Sequence, residues 1–140
     1  MLLPKIAEVA VEQASFHFDK PYSYIVPESL SSVSPGCRVL VPFGGGNRKT
    51  QGIVLRLTDA AQLPKLKPIA AVLDAEPLLD AEMLELANWL RERTFCTLFE
   101  AVRTMLPTGL YMKLRPTYRL GHQAPSGELL THLPAAERCL

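Results

Sequence analysis

A glycine-rich, basic stretch holds the residues of this chain that are best suited to binding an anion. Residues 37–57 read CRVLVPFGGGNRKTQGIVLRL, with three glycines at positions 44–46 shortly before Arg48 and Lys49. Glycine lets a ligand approach the main chain closely because it has no Cβ, and two adjacent cations attract negative charge. The stretch therefore predicts either an anion-binding loop or a flexible hairpin tip with solvated charges.

The glycine spacing does not fit the two common nucleotide-binding motifs. A P-loop requires a glycine directly before Lys-Thr, whereas Arg48 precedes Lys49 and Thr50 here. A dinucleotide-binding fingerprint would need a glycine at position 49 and a helix after the loop, while the following residues alternate as in a strand. The histidines show no triad pattern either. We therefore predict that this chain is not an enzyme.

The cysteines predict no local metal site. Cys37, Cys96 and Cys139 are far apart, and none belongs to a C-x-x-C or Cys/His cluster. An odd number of cysteines without a signal peptide is typical of a reducing cytoplasm with buried thiols. No apolar stretch approaches membrane-spanning length. We therefore expect a soluble cytoplasmic protein that has no metal, no cofactor and no membrane contact.

Charge is distributed unevenly along the 140 residues, although the net charge is only +1. Positions 38–67 hold six cations and a single acid, Asp59. The cations are Arg38, Arg48, Lys49, Arg56, Lys65 and Lys67. Positions 73–105 hold seven acids and three arginines. The basic part predicts a surface for an anionic partner, and the acidic part predicts a face left to solvent or to a protein.

These residues must be positioned by a small sheet, because apolar alternation dominates the first half of the chain. Strand periodicity covers positions 5–12, 22–27, 38–42, 50–57 and 69–73. Phe16 and Phe18 either extend the first strand or cross over to the second. The spacing predicts a strongly bent sheet or barrel of about five to six strands.

The period then changes to that of helices. Asp80 is a suitable N-cap for a helix to about Glu92, and Thr97 with Glu100 forms a capping-box pattern for a second helix that Pro107 ends. The fold class predicted is therefore α+β, with two packed helices after the sheet. Trp89, on the first helix, is expected to pack on the sheet rather than bind a base.

Tyrosines, glycines and lysines around one small sheet can bind nucleic acid. Aromatic rings stack on bases, while cations and exposed backbone amides bind phosphates. Single-stranded nucleic acid is therefore the first ligand class that the residues suggest. A protein-interaction domain, with the acidic helical half as its contact surface, is the alternative.

Three stretches together resemble a known family. They are KPYSYIVPE, GCRVLVPFGGGNRKTQGIV and LPKLKPIAAVLDAEPLLDAEMLELANWL. Between about Ile6 and Pro107 they resemble the N-terminal region of the primosomal protein N′ (PriA) family of bacterial replication-restart helicases. In that family this region is the 3′ DNA-binding domain, which captures the 3′ end of the nascent leading strand at a stalled fork.

The resemblance implies a set of binding residues. By motif they are Tyr22, Ser23, Gly44 and Lys67, and Arg48, Lys49 and Lys65 are expected to add contacts to the DNA backbone. Ser23 stands where the family has an aspartate. Because a neutral hydroxyl accepts a weaker hydrogen bond than a carboxylate, this serine is expected to weaken selectivity for a free 3′-hydroxyl.

The resemblance also implies a division of the chain. Residues 1–107 would form the 3′ DNA-binding domain, and residues 108–140 would form a linker and the truncated beginning of a winged-helix domain. ATP, magnesium and zinc would belong to domains outside this chain. DNA forks and single-stranded 3′ ends are the implied partners, at forks within the nucleoid. Other primosome proteins and the single-stranded DNA-binding protein would be reached through the full-length protein.

Overall fold

Five strands followed by two helices make up the part of the chain that the structure describes. The structure is a computed structural model, and it describes residues 5–59 and 65–110. The elements are β1 (Lys5–Val11), β2 (Tyr22–Ile25), β3 (Arg38–Phe43), β4 (Arg48–Asp59), β5 (Ala71–Val72), α1 (Ala81–Arg93) and α2 (Leu98–Met105). The predicted α+β class is confirmed.

The strands form one antiparallel sheet in the order β2-β1-β4-β3-β5. The sheet is not closed, so the barrel form of the prediction is wrong. The segment before β5 nevertheless reaches the opposite edge strand. The Ile25 N–H donates to the Lys67 carbonyl, and the Ile69 N–H donates to the Ile25 carbonyl, each at 3.0 Å. These two bonds define a seam between β2 and the segment leading into β5.

Both faces of β1 are buried, because its small and branched side chains suit close packing on either side. Ala7, Val9 and Val11 belong to a core cluster on one face, together with buried residues of β2, β3 and β4. Ile6 and Ala10, whose side chains alternate to the other face, are buried as well. Helix α2 contacts β1. Packing on both faces of β1 therefore holds the centre of the sheet, and the edge strands are the parts that can contact a ligand.

Local sequence signals determine where the helices begin. The Met83 N–H donates to the Asp80 side chain at 2.9 Å. Thr97 and Glu100 exchange both bonds of the capping box, at 3.2 and 2.7 Å. Each cap satisfies amide groups that have no partner inside the helix. The predicted helix starts are confirmed.

Three local predictions differ from the structure. Phe16–Phe18 forms a short 3₁₀ turn instead of a strand. Arg48 belongs to β4, so the hairpin loop is shorter than predicted. Trp89 is 49% exposed, with the Arg93 guanidinium 5.0 Å from its ring centroid. Because the apolar side of α1 is already filled by Leu84 and Ala87, the indole is left on the outside.

The sequence predicted a domain boundary between residues 107 and 108, just after α2. Met1–Thr108 forms one compact unit. The predicted linker and winged-helix beginning lie, from position 111 onwards, outside the described residues, as does Cys139. Of the other two cysteines, Cys37 is buried and Cys96 is partly exposed, and both are free thiols.

Candidate functional site

Three segments that are distant in sequence meet at an open cleft of about 390 Å³. They are β2, the end of β3, and the segment before β5. The lining residues are Tyr22, Ser23, Tyr24, Pro42, Phe43, Gly44, Lys65, Leu66 and Lys67. The volume falls within the usual range of small-molecule pockets. The structure thus brings together Tyr22, Ser23, Gly44 and Lys67, the four residues predicted as a site.

The cleft lies where the sheet is open, and hydrogen bonds fix its walls. The seam at Ile25 holds the Lys67 segment beside β2. The Tyr24 hydroxyl donates to the Pro42 carbonyl at 3.1 Å and so joins β2 to the end of β3. Burial, and then the neighbouring Tyr22, raises the pKa of Tyr24 to about 12. This phenol therefore remains a neutral donor at physiological pH.

Lys67 and Gly44 are in direct contact across the cleft. The Lys67 Nζ donates to the Gly44 carbonyl at 3.1 Å. Gly44 has φ +73°, a left-handed conformation that favours glycine, and a Cβ built there meets no atom within 4 Å. The ammonium group has three donors, and only one of them is used by this bond. An exposed cation with free donors is therefore held at the mouth of the cleft.

Tyr22 forms an aromatic wall with Phe43. The two rings meet edge to face, with centroids 5.0 Å apart and an interplanar angle of 86°. The Tyr22 hydroxyl donates to the Phe18 carbonyl at 3.0 Å, and the Lys20 ammonium lies 5.7 Å from the Tyr22 ring centroid. The ring is therefore fixed in place, since it is held at its edge and at its hydroxyl.

Ser23 contributes main-chain groups at the open edge of β2. The Val26 N–H bonds to the Lys5 carbonyl, so the even-numbered residues of this strand direct their peptide groups towards β1. The peptide groups of Ser23 and Ile25 therefore point away from β1. Those of Ile25 form the seam. Within residues 5–59 and 65–110, the Ser23 N–H and carbonyl have no hydrogen-bond partner.

The Ser23 side chain lies on the opposite face from Tyr22, because successive side chains of a strand alternate. Its direct neighbour across the ladder is Glu8. Both oxygens of Glu8 bind Arg56, at 2.6 and 2.8 Å, and this hydrogen bond raises the pKa of Arg56. Glu8 does not line the cleft. It therefore does not replace the carboxylate that the family has at position 23.

The remaining predicted cations are divided between the cleft and other surfaces. Lys65 lines the cleft, whereas Arg48 and Lys49 are exposed on β4 opposite Phe43 and Pro42 and do not line it. Arg38 is buried and paired with Asp74, and Arg56 is paired with Glu8. The basic stretch read from the sequence is therefore not one continuous surface.

Sequence reasoning missed two cleft residues whose roles depend on the tertiary structure. Phe43 forms the wall with Tyr22, and Tyr24 joins the two strands. The alternation of Tyr22 with Tyr24 places both rings on one face, and this was the available signal for Tyr24. No local signal indicates that Phe43 approaches β2, since the two strands are not neighbours in the sheet.

In residues 5–59 and 65–110, no three or more His, Cys, Asp or Glu side chains are grouped so that they could hold a metal ion. No helix in this part of the chain combines the length and the apolar character needed to cross a membrane.

Comparison with known proteins identifies both a matching family and a similar protein. Residues 8–107 match the family described as the 3′ DNA-binding domain (3′BD) of PriA. The chain is also 34% identical over 121 residues to the replication restart protein PriA of Bacillus subtilis (strain 168). That alignment covers 84% of this chain and 15% of the length of the relative.

Proposed function

Because the chain belongs to the 3′ DNA-binding domain family of PriA, we propose that it binds DNA and that its cleft receives the 3′-terminal nucleotide of a single strand. The observation that carries this proposal is the meeting of Tyr22, Ser23, Gly44 and Lys67 in one cleft. The four positions are separated by up to 45 residues, from Tyr22 to Lys67, so their proximity does not follow from sequence spacing.

The geometry supports a distinct role for each group. Lys67 provides an ammonium for the terminal phosphate or sugar, and its bond to Gly44 holds it in position before DNA arrives. Gly44 leaves open space beside the main chain, so a sugar can approach closely. Tyr22, with Phe43 behind it, borders the terminal base. Lys65 adds a second cation at the same cleft.

The Ser23 peptide groups, which have no hydrogen-bond partner within residues 5–59 and 65–110, support recognition of the strand end. A peptide N–H donates to a phosphate or sugar oxygen, and a peptide carbonyl accepts from a 3′-hydroxyl. These groups do not depend on the side chain at position 23. We therefore propose that the chain retains a preference for a free 3′-hydroxyl, reduced by the absence of a carboxylate.

The test compares two fluorescent single strands that differ only at the end, one with a 3′-hydroxyl and one with a 3′-phosphate. Binding to the 140-residue chain is measured by fluorescence anisotropy at fixed salt. We expect tighter binding of the hydroxyl strand, because a dianionic phosphate adds bulk and removes the terminal donor. Equal affinity would contradict end recognition, and lack of binding to either strand would contradict DNA binding itself.

Two substitutions at position 23 sharpen this test. Ser23→Ala removes the hydroxyl and keeps the peptide groups, so we expect the same end preference. Ser23→Asp introduces the family's carboxylate, and we expect it to increase the preference for the 3′-hydroxyl severalfold. If Ser23→Ala abolished the preference, the recognition would reside in the side chain and not in the main chain.

The chain spans 15% of the relative's length. The roles of the whole protein are therefore proposed separately from that of the cleft. We propose that residues 1–107 are a DNA-binding domain and that residues 108–140 begin a winged-helix domain. We also propose that the full-length protein is an ATP-dependent helicase, and that it meets primosome proteins and single-stranded DNA-binding protein at forks. Comparing ATP turnover by the 140-residue chain and by the full-length protein tests this assignment.

A further inference from the structure

Three exposed phenylalanines lie on the 3₁₀ turn and on the connection between α1 and α2. Phe16, Phe18 and Phe95 are 53%, 68% and 97% exposed, and the Phe16 and Phe95 ring centroids are 6.2 Å apart. We refer to these three residues as the aromatic patch. Since burial of each ring would stabilise the fold, three exposed phenylalanines, two of them with neighbouring rings, indicate a binding surface.

The backbone beneath the aromatic patch is held by bonds that do not involve the rings. The buried Asp19 carboxylate accepts from the Arg91 guanidinium, and it also accepts from the Leu98 N–H at 3.1 Å. The Phe18 N–H donates to the Ser15 carbonyl at 2.8 Å. The 3₁₀ turn and the start of α2 are therefore connected through Asp19. The rings are not needed for this connection.

The aromatic patch is connected to the cleft through one residue. Tyr22 lines the cleft, and its hydroxyl binds the carbonyl of Phe18 at 3.0 Å. Lys20, between the patch and the cleft along the chain, places its ammonium 5.7 Å from the Tyr22 ring. The Lys20 ammonium and the Phe18 backbone therefore both lie next to Tyr22, a residue of the cleft wall.

The two charged residues that follow Phe18 in the chain suit an anionic ligand. Asp19, the acid next to Phe18, is buried and neutralised by Arg91. Lys20 is exposed and adds a positive charge. Aromatic rings can stack on any base, because every base has a π-face, and they do so beside cations that bind the phosphates. This combination favours a single-stranded nucleic acid over an apolar protein segment.

We propose that the aromatic patch stacks the bases that precede the terminal nucleotide, so that the binding site extends from the cleft along several nucleotides of single-stranded DNA. This inference rests on the proposed function of the cleft. It adds a second contact region, carried by the 3₁₀ turn and by the connection between α1 and α2.

The test varies DNA length. Two 5′-labelled oligothymidylates with free 3′-hydroxyls, of two and eight nucleotides, are titrated with the chain and with the double variant Phe18→Ala/Phe95→Ala. We expect the double variant to bind the longer strand at least about tenfold more weakly, since base stacking on an aromatic ring contributes that much or more. Its affinity for the dinucleotide should be unchanged. Leu86→Ala, at an exposed apolar residue on α1, is the matched control and should alter neither affinity.

Two measurements keep the outcomes distinct. Thermal unfolding should be the same for the double variant, because the rings are exposed. An unchanged affinity for the longer strand, or an equal loss with both lengths, would overturn the extended site. Loss of self-association instead, seen by sedimentation, would assign the patch to a contact between copies. A lack of preference for the 3′-hydroxyl would contradict the cleft proposal alone, because the effect of length is measured separately.

Discussion

Arg38 and Lys67, the first and last cations of the basic stretch 38–67, have different roles in the structure. Arg38, at the start of β3, forms an ion pair with Asp74 in which the two side chains are only 8% and 10% exposed, and the closest contact is 2.5 Å. Lys67, before β5, is exposed, and among the described residues its ammonium binds the neutral Gly44 carbonyl and no carboxylate. Arg38 also receives help from its backbone, since its N–H donates to Asp74 at 3.2 Å.

This difference separates stability from binding. A buried ion pair is useful to the fold only while both partners are present, because an unpaired buried charge is costly. An exposed ammonium on a neutral acceptor costs little to detach and remains attracted to phosphate. The Arg38–Asp74 ion pair therefore connects β3 to the segment after β5, whereas the cleft keeps the charge of Lys67 available for a ligand. Substitutions in the two regions should have separate consequences.

The largest expected effect is the loss of stability from Asp74→Ala. Removing the carboxylate takes the ion pair with Asp74 away from the buried Arg38 guanidinium, and we expect the free energy of unfolding to fall by about 3–5 kcal/mol. Chemical denaturation followed by circular dichroism measures it. The double variant Arg38→Met/Asp74→Leu removes both charges and should recover most of the loss. If the double variant were as unstable as Asp74→Ala, the ion pair itself would be the stabilising interaction.

Two glycines with positive φ sharpen the comparison by their surroundings. At Gly36, with φ +88°, a Cβ would lie 2.0 Å from the Leu79 carbonyl oxygen, while at Gly44 it would meet open space. We expect Gly36→Ala to lower the free energy of unfolding by more than about 2 kcal/mol, and Gly44→Ala to lower it by about 1 kcal/mol. Thermal denaturation of both variants tests the order. Equal losses would mean that backbone conformation alone determines the cost.

Lys67→Ala should weaken DNA binding and leave stability nearly unchanged, whereas Asp74→Ala is expected to lower stability. We expect DNA binding to weaken by about 1–3 kcal/mol, and the slope of log affinity against log salt to fall by about 0.7, while unfolding is nearly unchanged. Lys5→Ala, at an exposed lysine on β1 that does not line the cleft, is the matched control. Similar affinities for the two variants would remove Lys67 from the site.

The smallest effect concerns pH and Tyr24. Its pKa is raised to about 12 by burial and by Tyr22, whereas in the unfolded chain it stays near the ordinary value of 10.0. Between these values the unfolded state has lost the proton and the folded state has kept it, so stability falls as pH rises. We expect Tyr24 to account for about 1 kcal/mol of this fall, because the hydroxyl is only partly shielded. Tyr24→Phe should show a shallower fall in urea denaturation at these pH values.

Local patterns predicted much of the fold. Alternation located the strands, and the residues at Asp80 and Thr97 located the helix starts, because these signals depend on nearest neighbours along the chain. The strand prediction for Phe16–Phe18 was wrong, because the contacts of Asp19 with Arg91 and with the Leu98 amide hold that segment in a turn. Such a contact spans more than 70 residues in sequence and leaves no periodic trace.

The sequence predicted which residues form the site, but not the tertiary contacts that bring them together. The family resemblance selected Tyr22, Ser23, Gly44 and Lys67, and the structure brings them to one cleft. Strand order decides what else is there. Because β2 lies at one edge of the sheet and β3 lies beside the other edge strand, their approach depends on the long-range hydrogen bonds of Tyr24 and Lys67 to the end of β3 and to Gly44. No residue spacing encodes that approach.

The two-bond seam at Ile25 also gives the cleft a natural reporter. A junction held by two amide bonds opens more readily than the central ladder of the sheet, so the Ile25 and Ile69 amides should exchange their hydrogens through local opening. A nucleotide that bridges β2 and Lys67 would close this junction and slow both exchanges in proportion to occupancy. The exchange rates of these two amide hydrogens would therefore report the fraction of protein with DNA bound, and the measurement needs no label on the DNA.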